Sequence, residues 1–176
     1  MLTNSGFDTW TVATVPDNWT LVIGGNIARD TGITFAGTAS LRITGDAGGT
    51  LTQIKQLFGD GTTGTSGDLD PLTQYAFNIY VRRDGTAPGA GVLTVDLVDS
   101  LDVVIQDANG IANTVNIDLT TLTVNFASYS VAFRTPLIVP STVYIRIRLS
   151  TALTSGRSVY LDTAALGSMQ TLYGDG

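Results

Sequence analysis

Val143-Tyr144-Ile145-Arg146-Ile147-Arg148-Leu149 decides the fold class. Apolar and polar residues alternate without a break, so an extended chain puts Val143, Ile145, Ile147 and Leu149 on one face and Tyr144, Arg146 and Arg148 on the other. A helix would scatter the same residues around its circumference. The run reads as a strand with one face in a core and the other in water.

The same period recurs outward from this run. Val92–Val98 sets Leu93, Val95 and Leu97 against Thr94 and Asp96, and Ser40–Thr44 turns Leu41 and Ile43 inward. Tyr75–Arg82 sets Tyr75, Phe77, Ile79 and Val81 against Ala76, Asn78, Tyr80 and Arg82. Fainter strands are expected at Phe7–Val12, Trp19–Ile23, Thr50–Gln56, Leu101–Gln106, Tyr129–Phe133 and Ser158–Leu166. Gly24-Gly25, Gly45-Asp46, Gly48-Gly49, Asp84-Gly85 and Asn109-Gly110 supply the tight turns between them. Gly59–Gly67 is rich in Gly, Thr and Ser and reads as a surface loop within one continuous pattern. Short strands with regular turns predict an all-β chain: one domain over residues 1–176, a two-sheet antiparallel β-sandwich of jelly-roll type. Residues 168–176 read as a C-terminal tail.

Composition agrees and excludes much chemistry. The 176 residues contain no Cys and no His, which removes disulfides, thiol catalysis, His-based triads and the commonest zinc ligands. All 15 acidic residues are Asp, and Lys55 is the sole lysine beside eight arginines, so the usual helix-surface residues are scarce. A net charge of −6 argues against nucleic acid as a partner. Apolar runs such as Leu137–Val139 and Val103–Ile105 are too short to cross a membrane. Met1–Gly6 lacks the charged and apolar regions of a signal peptide, so none is expected. Seven of the 15 Asp residues adjoin Gly, Asn or Pro, where they build turns. No Gly-x-Ser-x-Gly elbow or phosphate-cradling loop is present, and no enzyme is predicted.

Several segments carry a family likeness. Asn4-Ser5-Gly6-Phe7-Asp8, followed by Pro16-Asp17-Asn18-Trp19, resembles the opening of xylanase-associated jelly-roll carbohydrate-binding modules. Gly37-Thr38-Ala39-Ser40-Leu41-Arg42-Ile43, Leu72-Thr73-Gln74-Tyr75 with Tyr80-Val81-Arg82, and Val159-Tyr160-Leu161-Asp162 resemble later strands of that family, in the same order. The chain departs from the pattern at Asp8, where Glu is common. The resemblance implies a structural calcium tying the first strand to the last, with Asp8 and Asp162 as its carboxylates. Nothing else in the sequence requires a cofactor.

Two functional readings follow. Similar modules also occur as freestanding virion proteins of tailed bacteriophages. On that likeness the chain is expected to be a capsid decoration or cement protein on the virion surface, binding the major capsid protein and self-associating at a symmetry axis. Leu2, Thr3 and Asn4 at one terminus and Met169, Leu172 and Tyr173 at the other are the expected docking arms. The alternative is a working carbohydrate-binding module. Sugars need flat rings to stack on and polar groups for their hydroxyls. Tyr80, Arg82, Asp96, Tyr144, Arg146 and Arg148 supply both, provided their strands share a sheet; otherwise Asp96 pairs with the arginines across strands. Trp19 is expected in the core, while Trp10 suits core or ligand equally.

Overall fold

A computed structural model describes residues 2, 4–58 and 69–168. Ten strands run in chain order as β1 (Thr20–Ile23), β2 (Asn26–Asp30), β3 (Ser40–Thr44), β4 (Gln53–Leu57), β5 (Gln74–Arg83), β6 (Val92–Val98), β7 (Thr114–Asp118), β8 (Ala127–Arg134), β9 (Tyr144–Leu149) and β10 (Ser158–Ser168). They form two five-stranded antiparallel sheets. Sheet I has the order β1-β4-β9-β6-β7 and sheet II the order β2-β3-β10-β5-β8. The helical content of the described residues is one 3-10 turn at Leu119–Thr121, capped by the Asp118 carboxylate. The all-β sandwich expected from the alternation is the fold observed.

All but two of the steps between consecutive strands cross from one sheet to the other; β2–β3 and β6–β7 alone stay within a sheet. Sequence neighbours therefore face each other across the core. From sheet I, Ile54, Leu93, Val95, Ile145 and Ile147 point inward; from sheet II come Leu41, Phe77, Ile79, Val81 and Leu161. All are buried, each stabilising the fold by about 1.5–3 kcal/mol relative to exposure. The β9 alternation survives intact: Ile145, Ile147 and Leu149 lie in the core, while Tyr144, Arg146 and Arg148 face away.

Four expectations need correction. Phe7–Val12 forms no strand: Asn4 and Phe7 take positive φ in the turn that leads into it, and within the segment only Val12 makes a bridge, to Val15. Leu101–Gln106 makes only isolated bridges, Val98 to Val104 and Gln106 to Ala112, inside the β6–β7 connection. β2 and β7 are strands that alternation did not reveal. Both lie at sheet edges, where one flank is open and the apolar face is thin. Finally, β10 extends to Ser168, which pairs with Tyr75, so the strand takes in the first residue assigned to the tail.

Two residues expected in the N-terminal docking arm, Leu2 and Asn4, are instead anchored to the sandwich. Leu2 is 6% exposed and belongs to the core. Asn4 is pinned by its side chain: Nδ2 donates to the carbonyls of Thr9 (2.8 Å) and Asp17 (2.9 Å), and Oδ1 accepts from the Thr9 amide (3.0 Å). Its own carbonyl accepts from the Trp19 indole at 3.4 Å. Trp19 is buried with its ring 5.2 Å from that of Phe7, as expected of a core residue. Trp10 is half-buried and donates to the Phe7 carbonyl at 2.6 Å. Thr3, Met169, Leu172 and Tyr173 lie outside the described residues, as does Gly59–Gly67.

Candidate binding faces

The six residues expected to share a cleft fall on two faces. Tyr80 and Arg82 sit on β5, in sheet II, whereas Asp96 on β6 and Tyr144, Arg146 and Arg148 on β9 belong to sheet I. One cleft cannot contain them, since the core lies between. Alternation reports that side chains share a strand face; it does not report which strands are neighbours.

On the outer face of sheet I, register places Lys55, Arg146 and Asp96 in one row across β4, β9 and β6. Asp96 is fully buried. Its Oδ2 accepts from Arg146 Nη2 at 2.7 Å, Arg146 Nε at 3.1 Å and Arg148 Nε at 2.8 Å, while Oδ1 accepts from Thr114 Oγ1 at 2.7 Å. Burial pushes this carboxylate up, but the donated bonds from Arg148, Arg146 and Thr114 outweigh it, so its pKa lies below 3.8. Lys55 pairs with Asp102 at 2.8 Å and lies 4.4 Å from the centroid of the Tyr144 ring. This face is a lattice of internally paired charges. It cross-braces the sheet and corresponds to the cross-strand pairing foreseen as the alternative for Asp96.

The outer face of sheet II is aromatic. Phe35, from the β2–β3 connection, stacks on Tyr80 with centroids 3.7 Å apart and planes inclined by 15°. Phe126 meets Phe35 edge-on at 5.9 Å. The Arg82 guanidinium lies 5.7 Å from the Phe126 ring and 5.6 Å from that of Tyr160. Phe35 remains 47% exposed although it is a large apolar side chain. Neither Phe35 nor Phe126 belongs to an alternating run, so periodicity does not single them out; an aromatic in a Gly- and Thr-rich connection is the available clue.

Asp162 and Asp8 hold the connection that carries Phe35. Asp162 lies directly across from Tyr80 in the β10–β5 pairing. Its Oδ2 accepts from the backbone N–H of Phe35 at 2.7 Å and of Ala36 at 3.3 Å, and Oδ1 accepts from Thr163 Oγ1 at 3.0 Å. Burial pushes the Asp162 carboxyl above 3.8 despite those bonds. Asp8 Oδ1 accepts from the backbone N–H of Thr38 and Ala39 and from Thr38 Oγ1. There burial acts upward, but the amide bonds from Thr38 and Ala39 prevail and hold its pKa below 3.8. Gly37 sits at φ +69°, so close to the Asp8 carboxylate that a Cβ would collide with it. The two carboxylates thus fix both ends of residues 35–39. As hard oxygen donors they suit calcium, and Asp162 is a buried carboxylate with no cation paired to it among the described residues. No three acidic side chains gather into a metal-holding group among those residues, so backbone carbonyls and water would have to complete the coordination.

No protein-family model matches the sequence, and no curated protein matches it either. Solved structures do. A family 16 carbohydrate-binding module matches at 18% identity over 89% of this chain and 97% of its own, with TM-score 0.58. A family 61 module in complex with β-1,4-galactotriose matches at 13% identity over 95% and 97%, with TM-score 0.59. The enzymatically active domain of bacteriophage CBA120 tailspike protein 4 matches at 12% identity over 96% of this chain but 21% of that one, with TM-score 0.64. Modules of families 4 and 22 match as well. Some matched chains are enzymes, among them a cyclase from Fischerella sp. TAU. At these identities the likeness establishes the fold: a β-sandwich of the carbohydrate-binding-module kind.

Proposed function

We propose that the chain is a non-catalytic glycan-binding module whose site is the outer face of sheet II. The observation that carries this reading is the half-exposed ring of Phe35 stacked flat on Tyr80. A pyranose ring presents an apolar face of C–H groups, which packs on such a platform, while neighbouring polar groups take its hydroxyls. Asn78, Ser128 and Ser130 lie on the same face beside Tyr80. The sandwich modules among the matched structures support the class. The calcium expected at Asp8 and Asp162 belongs to the same proposal, as a support for the connection that presents Phe35.

Affinity electrophoresis against soluble neutral and acidic polysaccharides tests the reading. Retardation of the wild type, lost in Phe35→Ala and Tyr80→Ala and kept in Tyr144→Ala, is the expected result. Loss in Tyr144→Ala with retention in Phe35→Ala would move the site to sheet I, and no retardation on any polymer would overturn the proposal.

A second reading keeps the virion setting. It is favoured by exposed apolar side chains at the sandwich end where β6 finishes and β9 begins, Val98 being paired with Tyr144. The β6–β7 connection contributes Leu101 (81% exposed), Val103 and Ile111, and the β8–β9 connection Leu137 and Ile138 (83% exposed). Such side chains suit a protein contact. A part of the phage tailspike domain, 21% of that chain, matches this fold and supports the setting. Sedimentation of the wild type and Ile138→Asp checks self-association through this end: an oligomer that the variant abolishes favours the reading, and a monomeric wild type removes the homo-oligomer from it.

A further inference from the structure

We infer that the glycan bound on sheet II is acidic, its sugar rings carrying carboxylates, and that Arg82 is the residue that selects them. This rests on the glycan reading above and goes further by naming the ligand class. Arg82 lies on β5 two positions beyond Tyr80 and on the same face, about 7 Å along the strand. Its Nε donates to the Arg83 carbonyl at 3.1 Å. Its terminal nitrogens have no hydrogen bond or ion pair among the described residues, and none of those residues gives it a carboxylate. Four other cations on the two outer faces are paired: Arg42 with Asp30 at 3.2 Å, Lys55 with Asp102, and Arg146 and Arg148 with Asp96. Arg134, on the Arg82 face, pairs across from Gln74, at the opposite end of β5 from Arg82 and away from the platform.

The surroundings of Arg82 suit an anion. The rings of Phe126 and Tyr160 flank the guanidinium and hold it near the platform without neutralising it. A guanidinium is a planar fork that matches a carboxylate with two parallel hydrogen bonds; hydroxyls of a neutral sugar would leave the charge unanswered. The acids on this face do not compete for it. Asp30 is held by Arg42, and Asp162 is covered by the Phe35 and Ala36 amides. The chain's net charge of −6 repels a polyanion at long range. At physiological salt, however, the screening length is about 8 Å, so the charges near the contact decide.

The test uses one polymer in two states. Polygalacturonate and its methyl-esterified form share a backbone and differ in charge, and both are titrated calorimetrically with wild type, Arg82→Gln and Arg148→Gln. We expect the wild type to bind the acid form about tenfold or more tightly than the ester. Arg82→Gln should erase that difference, and Arg148→Gln, on the opposite face, should keep it. Alginate and hyaluronate, run beside neutral xylan and β-glucan, extend the comparison to other uronates. Equal affinity for acid and neutral forms, binding of neutral polymers only, or an acid preference that survives Arg82→Gln would overturn the inference and leave glycan binding standing. Failure of every polymer to bind would overturn both.

Discussion

The backbone N–H of Phe35 donates to the carboxylate of Asp162 at 2.7 Å across 127 positions of sequence. Asp162 also neighbours Tyr80 across the β10–β5 ladder, so one carboxylate fixes the upper ring of the stack over the lower one. Replacing it with alanine leaves the Phe35 and Ala36 amides without their acceptor. We expect Asp162→Ala to lower stability by about 1–3 kcal/mol and to weaken polysaccharide retardation, read by urea unfolding and affinity electrophoresis together. Unchanged retardation would show that Phe35 needs no such hold.

Acid should separate binding from folding. The Asp162 pKa is raised above 3.8 by burial, whereas those of Asp8 and Asp96 are held below it by hydrogen bonds. As pH falls, Asp162 takes up its proton first and its grip on the Phe35 amide weakens. The signs of linkage differ too. Asp162 contributes stability below its unfolded value that is lost as pH rises through its folded one; Asp8 and Asp96 contribute stability above 3.8 that is lost as pH falls through theirs. Affinity should therefore drop, on acidification, at a pH where near-ultraviolet circular dichroism still reports a native core. Coincident loss of both signals would count against this order.

Asp96 should matter far more to the fold than to any ligand. Asparagine there would leave Arg146 and Arg148 around a neutral group in a buried site. Breaking such a pair costs about 3–5 kcal/mol. Urea unfolding of Asp96→Asn should show that loss and a flatter dependence on acid, with retardation of the folded fraction unchanged.

Leu2 distinguishes a core residue from an arm. We expect Leu2→Ala to destabilise by about 2–5 kcal/mol, as removal of a buried leucine side chain does. An unchanged unfolding midpoint would return Leu2 to the role of a free terminus.

Calcium should raise the melting temperature of the wild type after chelator treatment, and Asp8→Asn should blunt that rise. A wild type indifferent to both chelator and calcium would remove the ion from the proposal.

Much of the fold was legible because period-two alternation is a property of each strand taken alone. Val143–Leu149, Tyr75–Arg82 and Val92–Val98 carried it with no help from tertiary structure. The site was less legible, because it depends on strand order. Tyr80 and Tyr144 look equivalent in sequence, each opposite a run of inward apolar residues, yet they lie on opposite sides of the sandwich. Phe35 was missed because its role comes from a connection fixed by residues far along the chain. Asp8 and Asp162 were singled out through a family likeness. In the structure they hold the two ends of residues 35–39 by accepting backbone amides.

The long reach from Phe35 to Asp162 also bears on how the protein is made. During synthesis Asp162 leaves the ribosome 127 positions after Phe35, so the strands between them must emerge before the ring can be seated. A product truncated ahead of β10 would lack the central strand of sheet II and with it any completed platform. A seated ring would then certify that synthesis had passed β10: copies stopped short of that strand would have nothing to hold the Phe35 amide.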